Sequence, residues 1–343
     1  MKPHVLVVRL DSEGDVLVTG PAIRAVAAGA ARVTLLCGPR GRQAAELLPG
    51  VDEVFVHRAP WIDPEPDPVD PVATLALVDD LKRRTVDEAI VFTSFHQSAL
   101  PTALLLRLAG IPTVAAISDD YPGSLLDVRH RVPDGIHEVE RALSLAAALG
   151  YELPADDDGG LQIRREGAFD LPPRPYVVVH PGASVPARAW LPERHAELVR
   201  RLAAADVGVV ITGAPSERAL TAFVAGLRDG VADLGGETSF AELAELIAGA
   251  EAIVVGNTGP AHLAAAVGTP VVSLYAPTVP AVRWRPWRVE HVLLGDQDAP
   301  CAGSRARICP VQGHPCLASV TVDDVCAALG ELAAIETREA VTA

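Results

Sequence analysis

A repeated alternation between short apolar runs and longer segments of helical periodicity constrains the fold of this chain more than any other feature. The runs are a few residues long and rich in Val, Ile and Leu, as at Val5–Arg9 and Val271–Leu274. Runs of this length and composition indicate buried strands. Because a helical segment separates each strand from the next, the strands should pair in parallel as βαβ units. The sequence therefore predicts an α/β fold.

Two halves of the chain repeat this alternation, with five predicted strands in each. The break between them is marked by Asp156–Gly160, which is acidic and ends in glycine, and by Leu171–Pro175, which contains three prolines. We place the boundary near Asp170 and predict two domains, residues 1–170 and 171–343. A chain of 343 residues fits two domains of about 150 residues each.

Charge and hydropathy narrow the class of protein. The 29 basic and 44 acidic residues give a net charge of −15, which argues against broad nucleic-acid binding and against a polybasic membrane anchor. The first apolar run is too short for a signal peptide and is interrupted by Arg9 and Asp11. Ala252–Val282 contains no Asp, Glu, Lys or Arg, but Gly and Pro break it into a strand–turn–helix–strand pattern. We expect a soluble cytoplasmic protein, which could act at the membrane surface.

After Leu274 the sequence predicts an irregular stretch and then a last helix at Val322–Ala334. Four of the five cysteines fall late in the chain, at Cys301, Cys309, Cys316 and Cys326. The first three are eight and seven residues apart, whereas zinc ligands usually come in pairs two to four residues apart. The spacing therefore favours reduced thiols or one local disulfide over a metal site.

The turn after the first strand, Arg9–Asp15, carries three carboxylates within five residues. In a doubly wound sheet this turn faces the ligand crevice. Mutual repulsion and partial burial should raise the pKa of at least one of them, which suits a general base. The alternative is a solvated loop with Asp15 as a helix N-cap. The turn has no Gly-rich dinucleotide fingerprint, which argues against an oxidoreductase.

Two turns in the second half are suited to a phosphorylated ligand. His180–Ser184 follows a strand, and Arg188 lies shortly after it, so a glycine turn and a cation stand close together. Glu217 begins a helix after the next strand and could accept hydrogen bonds from ribose hydroxyls. The alternatives are an ordinary strand–helix loop and an acidic residue that only complements a helix dipole.

A third turn in the second half, Gly256–His262, is polar within a very apolar unit. Pro260 suits the first turn of a helix, so the amides of Thr258 and Gly259 should project at the helix N-terminus, where the dipole favours an anion. His262 could reach the same point. The alternative is a tight turn with His262 packed against the core.

In this order, four segments resemble glycosyltransferase family 9, the ADP-heptose:lipopolysaccharide heptosyltransferases. They are Arg9–Pro21, His180–Trp190, Asn257–Pro277 and Cys316–Leu317. The resemblance implies an α/β GT-B fold, in which two Rossmann-like doubly wound domains face a central cleft and the C-terminal helix crosses back. It also implies an N-terminal acceptor domain, a C-terminal donor domain, and inverting sugar transfer from a nucleotide-diphosphate donor, expected to be ADP-linked, without metal or cofactor.

The resemblance carries roles onto particular residues. The acid of the Gly-Asp pair is the catalytic base and matches Asp15. The donor site implied comprises Ser184, Arg188, Glu217, Asn257, Thr258, Gly259, Pro260 and His262. Within this set Arg188 grips the diphosphate and Glu217 contacts the ribose, and Thr258, Gly259 and His262 serve the diphosphate. For the acceptor we expect Ser12, Glu13, Gly14, His96 and Gln97. We expect a monomer that binds a glycan or small-molecule acceptor and no nucleic acid.

The sequence departs from the family pattern at two site positions. Asn257 stands where the late motif usually has Asp, and Arg188 stands where heptosyltransferases often have Lys. Asp11, four residues before Asp15, is a rival base. A nucleotide-sugar epimerase of the same fold and a non-catalytic protein that binds a nucleotide sugar remain as alternatives, and loss of Asp15 would leave the second of these unaffected.

Overall fold

A computed structural model of the chain describes residues 1–165, 172, 175–333 and 335. The chain divides into two compact units, Met1–Arg164 and Arg165–Ala343. The boundary expected near Asp170 lies outside the described residues. In the part of the chain that is described, no helix is both long enough and apolar enough to cross a membrane.

The first unit is a parallel six-stranded sheet with helices between its strands. Its elements are β1 (His4–Arg9), α1 (Glu13–Gly29), β2 (Arg32–Cys37), α2 (Arg42–Leu47), β3 (Glu53–Val56), α3 (Pro71–Arg83), β4 (Glu88–Val91), α4 (Leu100–Leu108), β5 (Thr113–Ile117), β6 (Val128–His130) and α5 (Glu138–Ala147). The strand order is β3-β2-β1-β4-β5-β6, and all neighbours pair in parallel. The order reverses between β1 and β4, which places a ligand crevice at their carboxyl ends.

The second unit repeats the same topology. Its elements are β7 (Tyr176–His180), α6 (Pro192–Ala204), β8 (Gly208–Ile211), α7 (Arg218–Ala225), β9 (Val231–Asp233), α8 (Phe240–Gly249), β10 (Ala252–Gly256), α9 (Gly259–Val267), β11 (Val271–Leu274), α10 (Ala281–Trp284), β12 (His291–Leu294), α11 (Pro315–Ala318) and α12 (Val322–Ala333). The strand order is β12-β11-β10-β7-β8-β9, again parallel. Here the order reverses between β7 and β10.

The apolar runs become buried strands because helices cover the sheet in each unit. In the first unit Leu6 and Val8 of β1 pack in one cluster with Leu81 of α3 and Leu106 of α4. In the second unit the central strands β7 and β10 are buried along their whole length, and α12 packs against α6 and the sheet. This burial fixes the carboxyl ends of the central strands, where the candidate site residues begin.

All ten predicted strands are present within one residue at each end, and two further strands are not predicted. β6 has only three residues, two of them polar, and its pairing with β5 depends on the neighbouring strand rather than on its own composition. β12 lies in the stretch expected to be irregular. That expectation is wrong, because His291–Leu294 carries an apolar run that pairs with β11.

Candidate active site

The crevice position of the first unit is organised around a buried arginine. Arg9 ends β1 and is 2% exposed. Its Nε lies 2.9 Å from Oδ2 of Asp11, and its Nη2 lies 2.9 Å from Oδ1 of Asp15. The same Nη2 donates to Oγ of Ser94, in the loop after β4, at 2.9 Å. The two strands that flank the reversal of strand order are thus joined at their carboxyl ends by one guanidinium.

Asp15 stands in the first turn of α1, whose N-cap is Ser12. Its Oδ2 accepts hydrogen bonds from the backbone N–H of Ser12 at 3.1 Å and from Oγ of Ser12 at 2.6 Å. Burial acts to raise the pKa of Asp15, but the charge of Arg9 and the hydrogen bonds from Ser12 outweigh it and hold the pKa below its usual value. Asp15 is therefore ionised at neutral pH and able to accept a proton.

Asp11 and Glu13 differ from Asp15 in their protonation. Burial raises the pKa of Asp11 to about 6, even though the charge of Arg9 and a 2.6 Å hydrogen bond from Nε2 of Gln97 act against the rise. Burial likewise raises the pKa of Glu13 to about 7. The expected rise in pKa is thus found at Asp11 and Glu13, with burial as its main cause. Asp15, the third carboxylate of the turn, is the one whose pKa is lowered.

The expected acceptor residues fall in two segments of this unit. Ser12, Glu13 and Gly14 lie at the start of α1. Gln97 lies after β4, where its Oε1 accepts from the backbone N–H of Ser94 at 3.0 Å. His96, in the same loop, is exposed, and its ring stands edge-on to Phe95 with centroids 5.2 Å apart.

Sequence reasoning missed Arg9 and Ser94 as organisers of this crevice. An arginine that ends an otherwise apolar strand was a signal for the first of them. No local signal pointed to Ser94, because the partners of its hydroxyl group, Arg9 and Asp15, lie about eighty residues away in the chain.

In the second unit, the turn after β7 packs against the residue expected to contact ribose. A Cβ added to Gly182 would clash with the carboxyl group of Glu217, so a larger residue fits there only if that side chain moves. Oε2 of Glu217 accepts from the backbone N–H of Ala214 at 2.8 Å. Glu217 ends a single 3-10 turn before α7 and reaches the loop after β7. Ser184, in that loop, is exposed.

His180, at the end of β7, is a neutral structural group and not a cation. Its Nδ1 lies 3.0 Å from Oγ1 of Thr212, and burial lowers its pKa to about 4. His195 on α6 is similar: burial lowers its pKa to about 3, and its ring packs edge-on to Trp190 with centroids 4.9 Å apart. Positive charge for a phosphorylated ligand must therefore come from another residue.

Arg188 ends the turn Pro186–Arg188 and approaches β10 closely. Its carbonyl oxygen would lie 3.2 Å from a Cβ added to Gly256, the last residue of β10. Burial raises the pKa of Tyr275, and the charge of Arg188 and a hydrogen bond with Asn257 act against that rise. Arg188, Asn257 and Tyr275 therefore lie together at the carboxyl edge of the sheet. Sequence reasoning missed Tyr275.

The turn between β10 and α9 holds polar atoms that the described residues leave unsatisfied. Thr258 is the N-cap of α9, but its side chain makes no capping hydrogen bond, and Pro260 stands in the first helical turn as expected. Oγ1 of Thr258 and Oδ1 of Asn257 are buried without a hydrogen-bond partner among the described residues. Such atoms are costly in a folded protein unless a ligand or water satisfies them.

His262 lies on α9, just after this turn, and is buried. Its ring packs against Trp284 of α10 with centroids 6.2 Å apart. Trp284 lies in the stretch expected to be irregular, so sequence reasoning did not connect it with the site.

The late cysteines are free thiols, of which Cys301, Cys316 and Cys326 are buried and Cys309 is half-buried. Cys301 and Cys316 belong to the core of the second unit, and burial together with the neighbouring thiols of Cys301 and Cys309 raises the pKa of Cys316 to about 11. Among the residues that the structure describes, no cluster of three His, Cys, Asp or Glu side chains is placed to hold a metal ion.

Comparison with known proteins identifies the family. Residues 74–314 match the family model for glycosyltransferase family 9 (heptosyltransferase). Lipopolysaccharide heptosyltransferase 1 of Pseudomonas aeruginosa is 30% identical, over 90% of this chain and 88% of that protein. This chain therefore belongs to glycosyltransferase family 9, and it is a glycosyltransferase.

Solved structures of the family share the fold. The family 9 glycosyltransferase from Veillonella parvula superposes with a TM-score of 0.77 at 18% identity, over 97% of both chains. E. coli heptosyltransferase WaaC, solved with ADP-2-deoxy-2-fluoro heptose, superposes with a TM-score of 0.74 at 23% identity, over 96% of this chain and 99% of that one. The expected GT-B architecture of two Rossmann-like units is confirmed.

Proposed function

We propose that this glycosyltransferase moves a heptose or related sugar from an ADP-linked donor to a hydroxyl of a glycan acceptor, with inversion and without a metal ion. The observation that carries the proposal is the turn before α9. There, the unsatisfied oxygens of Asn257 and Thr258 stand at a helix N-terminus close to Arg188. A helix N-terminus and a guanidinium together favour a diphosphate.

In the proposed reaction, Asp15 acts on the acceptor. The acceptor hydroxyl oxygen forms a bond to the anomeric carbon of the donor, and its proton passes to the carboxylate of Asp15. Asp15 suits this role because its side chain is 18% exposed, whereas that of Asp11 is 8% exposed. The lowered pKa of Asp15 keeps it ionised throughout the neutral range.

The second unit serves the leaving group. As the bond from the anomeric carbon to the diphosphate breaks, negative charge develops on the diphosphate, and Arg188 with the amides of Thr258 and Gly259 stabilises it. Glu217 accepts hydrogen bonds from the donor ribose. Ser184, Asn257, Pro260 and His262 complete the proposed donor site.

The relatives support the choice of substrates. WaaC was solved with an analogue of ADP-heptose, and the P. aeruginosa relative is named as a lipopolysaccharide heptosyltransferase. Asn257, which stands where the family motif usually has Asp, is the position at which the donor sugar of this chain could differ. For the acceptor we propose Ser12, Glu13, Gly14, His96 and Gln97 as the contacting residues.

We also propose that the protein acts in the cytoplasm as a monomer at the membrane surface. Neighbouring helices α3 and α4 support the surface location, because Val72, Leu75, Leu104 and Leu108 are exposed on them. Sedimentation with anionic vesicles tests this: the wild type should co-sediment, and a Leu104→Ser, Leu108→Ser variant should not. Equal sedimentation of the wild type and the variant would show that the exposed apolar residues of α3 and α4 do not bind the membrane.

The direct test of the function is a transfer assay preceded by a thermal-shift screen of nucleotide sugars. A donor present at 100 times its Kd should stabilise the protein by about 2.7 kcal/mol. ADP-linked sugars should give the largest shifts, and incubation with an acceptor glycan should release ADP. A donor that binds and is recovered unchanged with every acceptor would instead favour a non-catalytic binding protein.

A further inference from the structure

The segment from Cys301 to Cys316, here called the cysteine segment, lies against the turn that carries Arg188. Both of its ends are anchored in the core of the second unit, since Cys301 and Cys316 are buried there. Between them, the carbonyl oxygen of Arg307 accepts from the backbone N–H of Ala187 at 3.0 Å. Nε2 of His314 lies 3.1 Å from the carbonyl oxygen of Ala187. The cysteine segment thus makes hydrogen bonds with both the N–H and the carbonyl group of Ala187.

Ala187 is fully buried and immediately precedes Arg188. The turn is tight: the N–H of Arg188 donates to the carbonyl of Val185 at 2.8 Å, and its own carbonyl rests against Gly256. The backbone of Arg188 is therefore fixed between the cysteine segment and β10. A shift of the turn would move the guanidinium, and small misplacements of a contacting group are costly in a binding or catalytic site.

His314 is built into the cysteine segment with an unusual backbone. Its φ is +50°, in the left-handed region that is costly for residues other than glycine. His314 is also the N-cap of α11, and its carbonyl accepts a hydrogen bond from the N–H of Ala318 at 3.0 Å. Such a conformation persists only where the surroundings determine it. Because a carbonyl oxygen can only accept, Nε2 of His314 must carry the proton in this contact.

We propose that His314 is a positioning residue for Arg188: its Nε2–H donates to the carbonyl of Ala187 and thereby sets where the guanidinium stands. The proposal rests on the proposed function to the extent that Arg188 contacts the donor diphosphate. His314 itself need not touch the donor, so its effect on binding must pass through Arg188.

The test uses the full chain with His314→Leu, which removes the donor atom, and His314→Gln, whose side-chain amide can replace it. His291→Leu is the matched control, because Nδ1 of His291 lies 2.8 Å from the carbonyl of Val289 in the same unit. Calorimetry measures the Kd of ADP and of adenosine for each variant. We expect His314→Leu to weaken ADP binding by about threefold to tenfold, the effect of losing one neutral hydrogen bond, with adenosine unchanged. His314→Gln and His291→Leu should stay within about twofold of the wild type.

A double-mutant cycle with Arg188→Ala shows whether the effect passes through Arg188. If it does, His314→Leu has no further effect on ADP binding once Arg188 is removed. Equal losses of ADP binding in the two backgrounds would overturn the proposal, as would a His314→Gln variant as weak as His314→Leu.

Amide exchange without ligand separates this proposal from the proposed function. The N–H groups of Ala187 and Arg188 should exchange faster in His314→Leu than in the wild type and the His291→Leu control. Unchanged exchange would overturn the positioning role and leave the proposed function intact. If Arg188→Ala instead weakened ADP and adenosine equally, the proposed role of Arg188 would fail, and the exchange result alone would decide whether His314 positions the turn.

Discussion

The two units share one topology, yet the points where their strand order reverses are built in opposite ways. In the first unit the charged groups pair with one another: Arg9 forms ion pairs with Asp11 and Asp15 and donates a hydrogen bond to Ser94. In the second, Asn257 and Thr258 keep buried oxygens without partners among the described residues. The ion pairs of the first unit hold a carboxylate ionised and in place, whereas the unsatisfied oxygens of the second unit are suited to hydrogen bonds from a ligand. Under the proposed function, the same fold thus offers a fixed base in one unit and a donor-binding site in the other.

The largest expected effect comes from removing the carboxylate of Asp15, the proposed catalytic base in the first unit. Asp15→Asn should lower transfer by about 10²- to 10⁴-fold, the usual contribution of a general base, and leave ADP binding unchanged. A steady-state transfer assay together with ADP titration measures both quantities.

Asp11→Asn is the control for that variant, because it removes the rival carboxylate. The pH–rate profile adds a second criterion: a base with the lowered pKa of Asp15 gives no loss of rate near pH 6, whereas Asp11, with its pKa of about 6, would give one. An inactive Asp11→Asn variant beside an active Asp15→Asn variant would reverse the assignment.

The next largest effect comes from the second unit. Arg188→Ala should weaken ADP binding by about 10- to 150-fold, the equivalent of about 1.5–3 kcal/mol for a charge-assisted hydrogen bond, with adenosine binding little changed. Calorimetry with both ligands measures the difference. Equal losses would mean that Arg188 maintains the fold or contacts the nucleoside, and the diphosphate would then need another cation.

Acid should change the stability of the two units in opposite directions. In the second unit burial lowers the pKa values of His180 and His195 to about 4 and about 3, so the unfolded chain takes up protons first below about pH 6.5, and stability falls. In the first unit burial raises the pKa of Asp11 to about 6 and that of Glu13 to about 7, so the folded state takes up these protons first and stability rises. His57 and His130, whose pKa values burial lowers, act against this rise with smaller shifts. Each of the buried groups His180, His195 and Asp11 contributes about 1.4 kcal/mol per pH unit between its folded and unfolded pKa values.

Amide exchange between pH 7 and pH 5, corrected for the intrinsic rate and read separately for peptides of each unit, measures this divergence. His195→Phe, which keeps a ring against Trp190, should reduce the response of the second unit, and Asp11→Asn should reduce that of the first; His180 and Glu13 supply what remains. Parallel loss of protection in both units would contradict the opposite signs of these pKa shifts.

The smallest expected effect is that of chelation. Transfer should persist in excess EDTA, because Arg188 and the N-terminus of α9 supply the countercharge for the leaving diphosphate. Added magnesium or manganese is the control. Complete loss of activity on chelation, restored by either ion, would contradict the metal-free mechanism. Asp63 and Asp67, which in this structure pair with Arg58, would then be the candidate metal ligands.

The local sequence was sufficient to predict the strands and the motifs. It was insufficient to predict the hydrogen bonds and ion pairs between residues that are distant in the chain. Parallel strands that are buried on both faces consist of continuous apolar runs, so β1 and β10 could be placed from composition alone. The direction of the pKa shift of Asp15 could not be predicted in this way. It depends on Arg9, which is six residues away in the chain and is brought alongside Asp15 at the end of β1. Likewise Tyr275 and Trp284 join the second site only through the pairing of β11 and the packing of α10.

The close approach of Gly182 to Glu217 has a consequence for how this protein can diverge. The carboxyl group of Glu217 occupies the space that any side chain at position 182 would need. A lineage that keeps the acid in this position therefore favours glycine at position 182, because any larger residue would displace the carboxyl group, and a lineage that loses the acid frees position 182 to vary. Substitutions at positions 182 and 217 should therefore be coupled, and relatives with a larger residue at position 182 should more often lack the acid at position 217.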